Sequence, residues 1–223
     1  AAIRPPAQLA AAVNEMEQLL NRFGITGVKI ANTPDEHLIA LNAADKNGGL
    51  TLHVTTSLGT KYGSRDEPLD IAAYVAKRDQ YGSVNLNANA VKMFLDGVPT
   101  AARTAAMLAP YAADPHFPEG YRGEMHLSEE MLAEDVTGLD AAGFAVKIHT
   151  AGDGSVRRAL NAIEKAREAN GMGGKRHELA HAGYVDPDDV PRFSALNVAP
   201  DFSPYIWNPS PIIDSVVQAV GPR

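Results

Sequence analysis

Six short β-prone runs alternate with helical stretches along this chain; two of the runs end on an imidazole side chain and a third opens on a lysine. The runs are Ile25–Ala31, Leu50–Thr55, Lys92–Leu95, Ala145–His149, His177–His181 and Asn197–Phe202. Strands separated by helices cannot be joined as hairpins, so the pattern predicts an α/β fold with a parallel sheet. Lys92, His149 and His181 stand near the ends of their runs. In a parallel barrel, the strand C-termini converge on one mouth, where metal ligands collect.

The helices are legible from their boundaries. Leu9, Val13, Met16, Leu20 and Phe23 recur at three- and four-residue steps before Gly24, which predicts one amphipathic helix with a glycine stop. Thr33-Pro34-Asp35-Glu36 predicts a second, with Thr33 as the capping hydroxyl. Pro68–Tyr81 reads as a third helix, Ser128-Glu129-Glu130 caps a fourth, and Ser155–Asn170 is amphipathic. Asp186-Pro187-Asp188-Asp189 opens another. Residues 96 to 126 hold four prolines and no periodicity, and a loop this long inside a compact fold is usually functional or mobile. Arg103, Tyr111, His116 and Tyr121 are its substrate-side candidates, although loop residues of these types are more often structural.

Composition excludes several classes. A net charge of −7, with lysine and arginine scattered, gives no basic stripe for nucleic acid or an acidic membrane. No run approaches the roughly 20 apolar residues of a membrane span. Zero cysteines remove disulfides, thiolate metal sites and cysteine nucleophiles. No signal-like start precedes the first helix, and a cytoplasmic setting is the expectation. The chain opens Ala1-Ala2 and closes Gly221-Pro222-Arg223, ends that read as cut from something longer. No glycine-rich phosphate turn follows the first strand, which argues against a doubly wound sheet. Six units cannot close an eight-stranded barrel, so a single domain over 1–223 reads as the central part of one. The region of Ser203, Ser210 and Asp214 offers no nucleophile elbow.

His177-Glu178-Leu179-Ala180-His181 matches the H-E-x-x-H zinc-protease pattern, which needs a helix to bring both imidazoles to one ion. This run is short and lies between Gly171-Met172-Gly173-Gly174 and Gly183, so a strand is expected. On a strand the two histidines share a face about 13 Å apart, too far for one metal. Asp153, in Gly152-Asp153-Gly154, is either the cap of the following helix or an orienter of a ligand. Lys92 is costly in an apolar strand unless paired or functional. An ion pair, with Asp96 for example, is the plain reading; carbamylation into a metal-bridging carboxylate is the functional one.

Four segments in this order resemble the metal-dependent amidohydrolase superfamily, in the branch of N-substituted formamide deformylase-like enzymes. They are Val91–Gly97, Arg103–Leu108, Ile148–Asp153 and Arg176–Ala182. The resemblance implies a partial TIM (β/α)8 barrel, covering about strands two to seven. It implies one or two divalent metals, usually zinc, held by carbamylated Lys92, His149 and His181. Asp96 and Asp153 are the weaker, catalytic-side neighbours. The substrate implied is a small amide-type molecule, cleaved at a carbon–nitrogen bond other than a peptide bond by a metal-activated hydroxide. The family also uses a first-strand His-x-His and an eighth-strand aspartate. The chain contains no His-x-His, and Ala180 stands where the family has glutamate. These 223 residues are therefore expected to hold metal weakly and not to turn over. A non-catalytic regulatory or interaction module, pairing with itself through open sheet edges, is the alternative; some relatives in this branch carry regulatory names.

Overall fold

The computed structural model describes residues 5–203 and 208–221. The cut-looking terminal pairs Ala1-Ala2 and Pro222-Arg223 lie outside that range. The chain divides into two compact units, Ala1–Thr60 with Asp70–Lys92, and Lys61–Leu69 with Met93–Arg223.

The first unit runs α1 (Pro6–Arg22), β1 (Gly27–Thr33), α2 (Asp35–Lys46), β2 (His53–Gly59), α3 (Ile71–Tyr81) and most of β3 (Leu86–Phe94). β1 pairs parallel with β2, and β2 with β3. Leu38, Leu52, Leu58 and Leu86 are fully buried here, each contributing about 1.5–3 kcal/mol of transfer free energy. Glu17 on α1 is also buried. Its Oε1 accepts the Thr51 backbone N–H at 2.5 Å, which satisfies a donor just before β2. The predicted Thr33 cap is not made. Thr33 is the last residue of β1, Pro34 stands at the N-cap position, and no side chain caps α2. Asp35 and Glu36 do occupy its first turn, where negative charge suits the helix dipole. β2 and β3 begin and end away from the expected bounds because burial, not propensity, decides how far a parallel strand is paired.

The second unit carries α4 (Glu129–Ala141), β4 (Ala145–Thr150), α5 (Asp153–Asn170), β5 (His177–His181), a 3-10 turn (Pro187–Asp189), α6 (Val190–Ala195), β6 (Val198–Phe202) and α7 (Pro211–Val220). Ser128 Oγ accepts from the Met131 N–H at 3.1 Å, the cap expected for α4. Phe144, Leu132, Leu139, Ile148, Leu160 and Ile163 are fully buried in this unit. β4, β5 and β6 are mutually parallel. Helix α7 was not anticipated, although Ser210 caps it through the Ile213 N–H.

Strand order follows chain order, β1-β2-β3-β4-β5-β6. A doubly wound sheet would reverse direction at a switch point. Unbroken order with helical crossovers is the winding of a (β/α)8 barrel, of which six strands are present.

Candidate functional site

The H-E-x-x-H segment is strand β5, not a helix. Its register against β4 is Lys147↔Glu178, His149↔Ala180 and Thr150↔His181. Registered partners of a parallel pair point to the same face, and faces alternate along each strand. Regular backbone would therefore place His181 with buried Thr150, on the face opposite His149. The chain departs from that rule at its last strand residue. His181 has φ +74° and Ala182 φ +40°, consecutive left-handed conformations without glycine. They turn the ring across the sheet, and the His149 and His181 centroids come within 4.7 Å at an interplanar angle of 66°. Strain of this kind, of order 1–3 kcal/mol per residue, concentrates at functional positions.

Each ring is held on another side. His149 Nε2 lies 2.8 Å from the Gly97 carbonyl oxygen. A carbonyl only accepts, so Nε2 carries the proton in the neutral ring and Nδ1 the lone pair. His181 Nδ1 lies 2.9 Å from Ser203 Oγ, beyond the end of β6. Ser203 was not singled out as a partner from sequence. The only signal was its position after the sixth strand.

His177 shares neither the surroundings nor the role of His181. It is fully buried, with Nδ1 accepting the Val146 N–H at 3.0 Å and Nε2 3.1 Å from Asp140 Oδ1. Burial first, then the charge of Arg167, pushes its pKa down to about 4 against the pull of Asp140. It is a neutral structural histidine.

Asp96 lies under the site as an acceptor hub. It is fully buried and receives the N–H groups of Ala106, Ala151 and Gly152, each at 3.0 Å, and Ser155 Oγ at 2.8 Å. Its Oδ1 is 3.6 Å from His149 Nε2. Burial pushes its carboxyl up, opposed by those four donors. Asp153 lies in the first turn of α5, with Gly152 at the cap position, and its Oδ1 accepts the Leu108 N–H at 2.7 Å. Both carboxylates thus fasten residues 106–108 of the long loop to the turn after β4. Lys92, in the first unit, is buried at the end of β3 opposite Gly59, and its carbonyl accepts the Thr60 N–H at 3.0 Å.

The other loop candidates are engaged by partners within the loop itself. Arg103 pairs with Asp114 at 2.8 Å and lies 5.0 Å over the Phe117 ring. Tyr111 donates to the Ala105 carbonyl at 2.8 Å, and Tyr121 stacks between Tyr111 and Phe117. The His116 backbone N–H, ahead of its ring, holds Asp114 below the usual carboxylate range. Nearer the histidines, an aromatic row continues from His149 to Phe94 at 6.0 Å, to Tyr62 at 5.2 Å and to His126 at 4.9 Å. None of these three was singled out from sequence, because their contacts join segments far apart in the chain.

Two adjacent imidazoles are nitrogen donors of the right type for zinc or a similar divalent metal. Catalytic zinc sites use three protein ligands, and among the described residues no group of three histidine, cysteine or acidic side chains is placed to hold an ion. The donor set of the described residues therefore falls short of a complete metal centre.

Known proteins are similar to this chain in sequence and in fold. The chain is 29% identical over 127 residues to the Exoenzymes regulatory protein AepA of Pectobacterium carotovorum subsp. carotovorum, covering 57% of this chain and 25% of that protein. It is 32% identical over 117 residues to the protein named Putative amidohydrolase YtcJ of Bacillus subtilis (strain 168), covering 52% of this chain and 20% of that one. The fold matches an uncharacterized metal-dependent hydrolase from Pyrococcus furiosus with a TM-score of 0.72 at 22% identity. That match takes in 99% of this chain and 42% of the other. The chain thus spans less than half the length of each of these three proteins. The model of the Amidohydrolase family matches residues 2–223, and the chain belongs to that family.

Proposed function

We propose that the protein to which this chain belongs is a metal-dependent hydrolase of carbon–nitrogen bonds other than peptide bonds, with zinc as the metal and a small amide-type molecule as substrate. The observation that carries the reading is the contact of His149 and His181 at the ends of adjacent parallel strands, 4.7 Å between ring centroids. Family membership supports a hydrolase, and strand ends are where barrels keep their chemistry. His149 and His181 offer lone pairs to the ion, and Lys92, if carbamylated, adds a carboxylate. Asp96 and Asp153 act by positioning, since their oxygens are engaged by donors from the loop and the turn after β4.

The described residues supply two imidazole donors and no third ligand of ordinary type. The 223-residue chain alone is accordingly expected to bind zinc weakly and to leave amides intact. Metal content and hydrolysis of a panel of N-substituted amides, measured on this chain and on a complete relative-length protein, test both statements. Loss of turnover in the longer protein on His149→Ala, with its fold retained, is the expected result; unchanged turnover removes His149 from the site.

A regulatory or interaction module is the second reading, favoured by the name of the AepA relative and by the incomplete donor set. Self-association through the edge strands belongs to this reading. Sedimentation of the chain distinguishes it, because the hydrolase reading needs no self-association.

A further inference from the structure

Beside the two histidines lies a cluster of charge that the proposed chemistry does not use. Lys147 is buried, yet its Nζ lies 3.1 Å from Glu178 Oε2 and touches Asp201 Oδ2. The three residues sit on β4, β5 and β6, one on each strand. Glu178 is largely covered, and Asp201 is about half exposed.

The spacing links this cluster to the histidines. Lys147 stands two residues before His149, and Asp201 two residues before Ser203. A two-residue step on a strand returns to the same face about 6.6 Å further along. Glu178 stands three residues before His181, an odd step that reaches the same side only because His181 is left-handed. Lys147 and Glu178 are register partners, while Asp201 stands level with Ala180 and His149, one same-face step further along, where the long Lys147 side chain reaches it. The ion cluster thus adjoins His149, His181 and Ser203, which are joined by the ring contact and the 2.9 Å His181–Ser203 contact.

A buried ammonium is tolerated only where acceptors meet it. Slipping β5 or β6 by one residue would turn its carboxylate to the opposite face and leave Lys147 unmatched. The same slip would carry His181 or Ser203 away from His149. An ion cluster of this kind selects one register among several that an apolar strand would accept. We propose that Lys147 is a positioning residue: its pairs with Glu178 and Asp201 hold β4, β5 and β6 in the one register that brings His149, His181 and Ser203 together.

The inference rests on reading His149 and His181 as one site, but its test needs neither metal nor substrate. In the chain labelled at histidine, NMR reports the nuclear Overhauser effect between the two rings, while circular dichroism and a urea transition report the fold. Lys147→Met is expected to keep a cooperative fold and lower the inter-ring effect at least fivefold, and Lys147→Arg to restore at least half of it. An inter-ring effect within twofold of the parent in folded Lys147→Met overturns the proposal. Should Lys147→Met fail to fold, Asp201→Asn, at a half-exposed position, takes its place. A weakened inter-ring effect there supports the proposal, and an unchanged one overturns it. Zinc titration of the parent chain is scored separately, so absence of binding would count against the metal reading and leave the positioning result standing.

Discussion

The rings of His149 and His181 meet edge to face at 4.7 Å, although regular alternation assigns their side chains to opposite faces of the sheet. The left-handed backbone at His181 and Ala182 resolves the conflict. That backbone is a local cost, and the surrounding structure must over-determine it to keep it.

Ala182 is the point at which to test that cost. It has φ +40° and is buried. A β-branched side chain is strongly disfavoured there, so Ala182→Val should destabilise the chain by about 1–3 kcal/mol. Ala182→Gly should be neutral or slightly stabilising, since glycine accepts positive φ without steric cost. Urea titration of the two variants gives the comparison; equal stabilities would show that the backbone there is unstrained.

Asp96→Asn should lower stability by roughly 2–4 kcal/mol, because an amide nitrogen would replace an acceptor that faces only donors. The four donors come from Ala106, Ala151, Gly152 and Ser155. Hydrogen exchange should quicken at the Ala106, Ala151 and Gly152 amides ahead of the β-strand amides. Uniform quickening would mean that the hub is not a local knot.

Gly152→Ala tests how closely the long loop is seated. A Cβ at residue 152 would overlap the Ala106 carbonyl oxygen and lie 2.6 Å from its carbon, both backbone atoms that cannot rotate aside. The φ of Gly152 is −94°, open to any residue, so the effect is contact and not conformation. A loss of about 2 kcal/mol or more is expected. Gly143 is a useful contrast: nothing lies near its Cβ position, but its φ is +80°, so Gly143→Ala should cost about 1–2 kcal/mol through backbone alone.

The pH dependence of stability should carry the mark of His177. Unfolded, this histidine takes its proton near the ordinary value of 6.5; folded, it resists until about 4. Between those values the unfolded chain binds more protons, so stability rises with pH across the window and falls on acidification through it. The contribution is roughly 3 kcal/mol over the full window. Difference curves between the parent and His177→Gln, from urea midpoints at pH 4 to 7, should show this slope removed.

Much of the architecture was legible locally. The Ser128 cap, the glycine stop after α1 and the strand character of His177–His181 each follow from chemistry within a few residues. Thr33 was misread because a hydroxyl before proline looks the same whether its residue caps a helix or ends a strand. Only pairing with β2 places Thr33 in β1. Helix α7 escaped because its apolar pattern is short.

By itself, the sequence determined the alternation of strand and helix, the parallel winding that follows from it, and which residue types stand at the strand ends. Those properties depend on periodicity and caps, which act over one or two turns of chain. Tertiary structure alone decided that His181 crosses to the side of His149 while His177 stays buried against Asp140, and that Asp96 fastens a loop. Each of those outcomes depends on backbone angles and burial set by segments tens of residues away, and a side chain's face cannot be read from period two where the backbone leaves the strand.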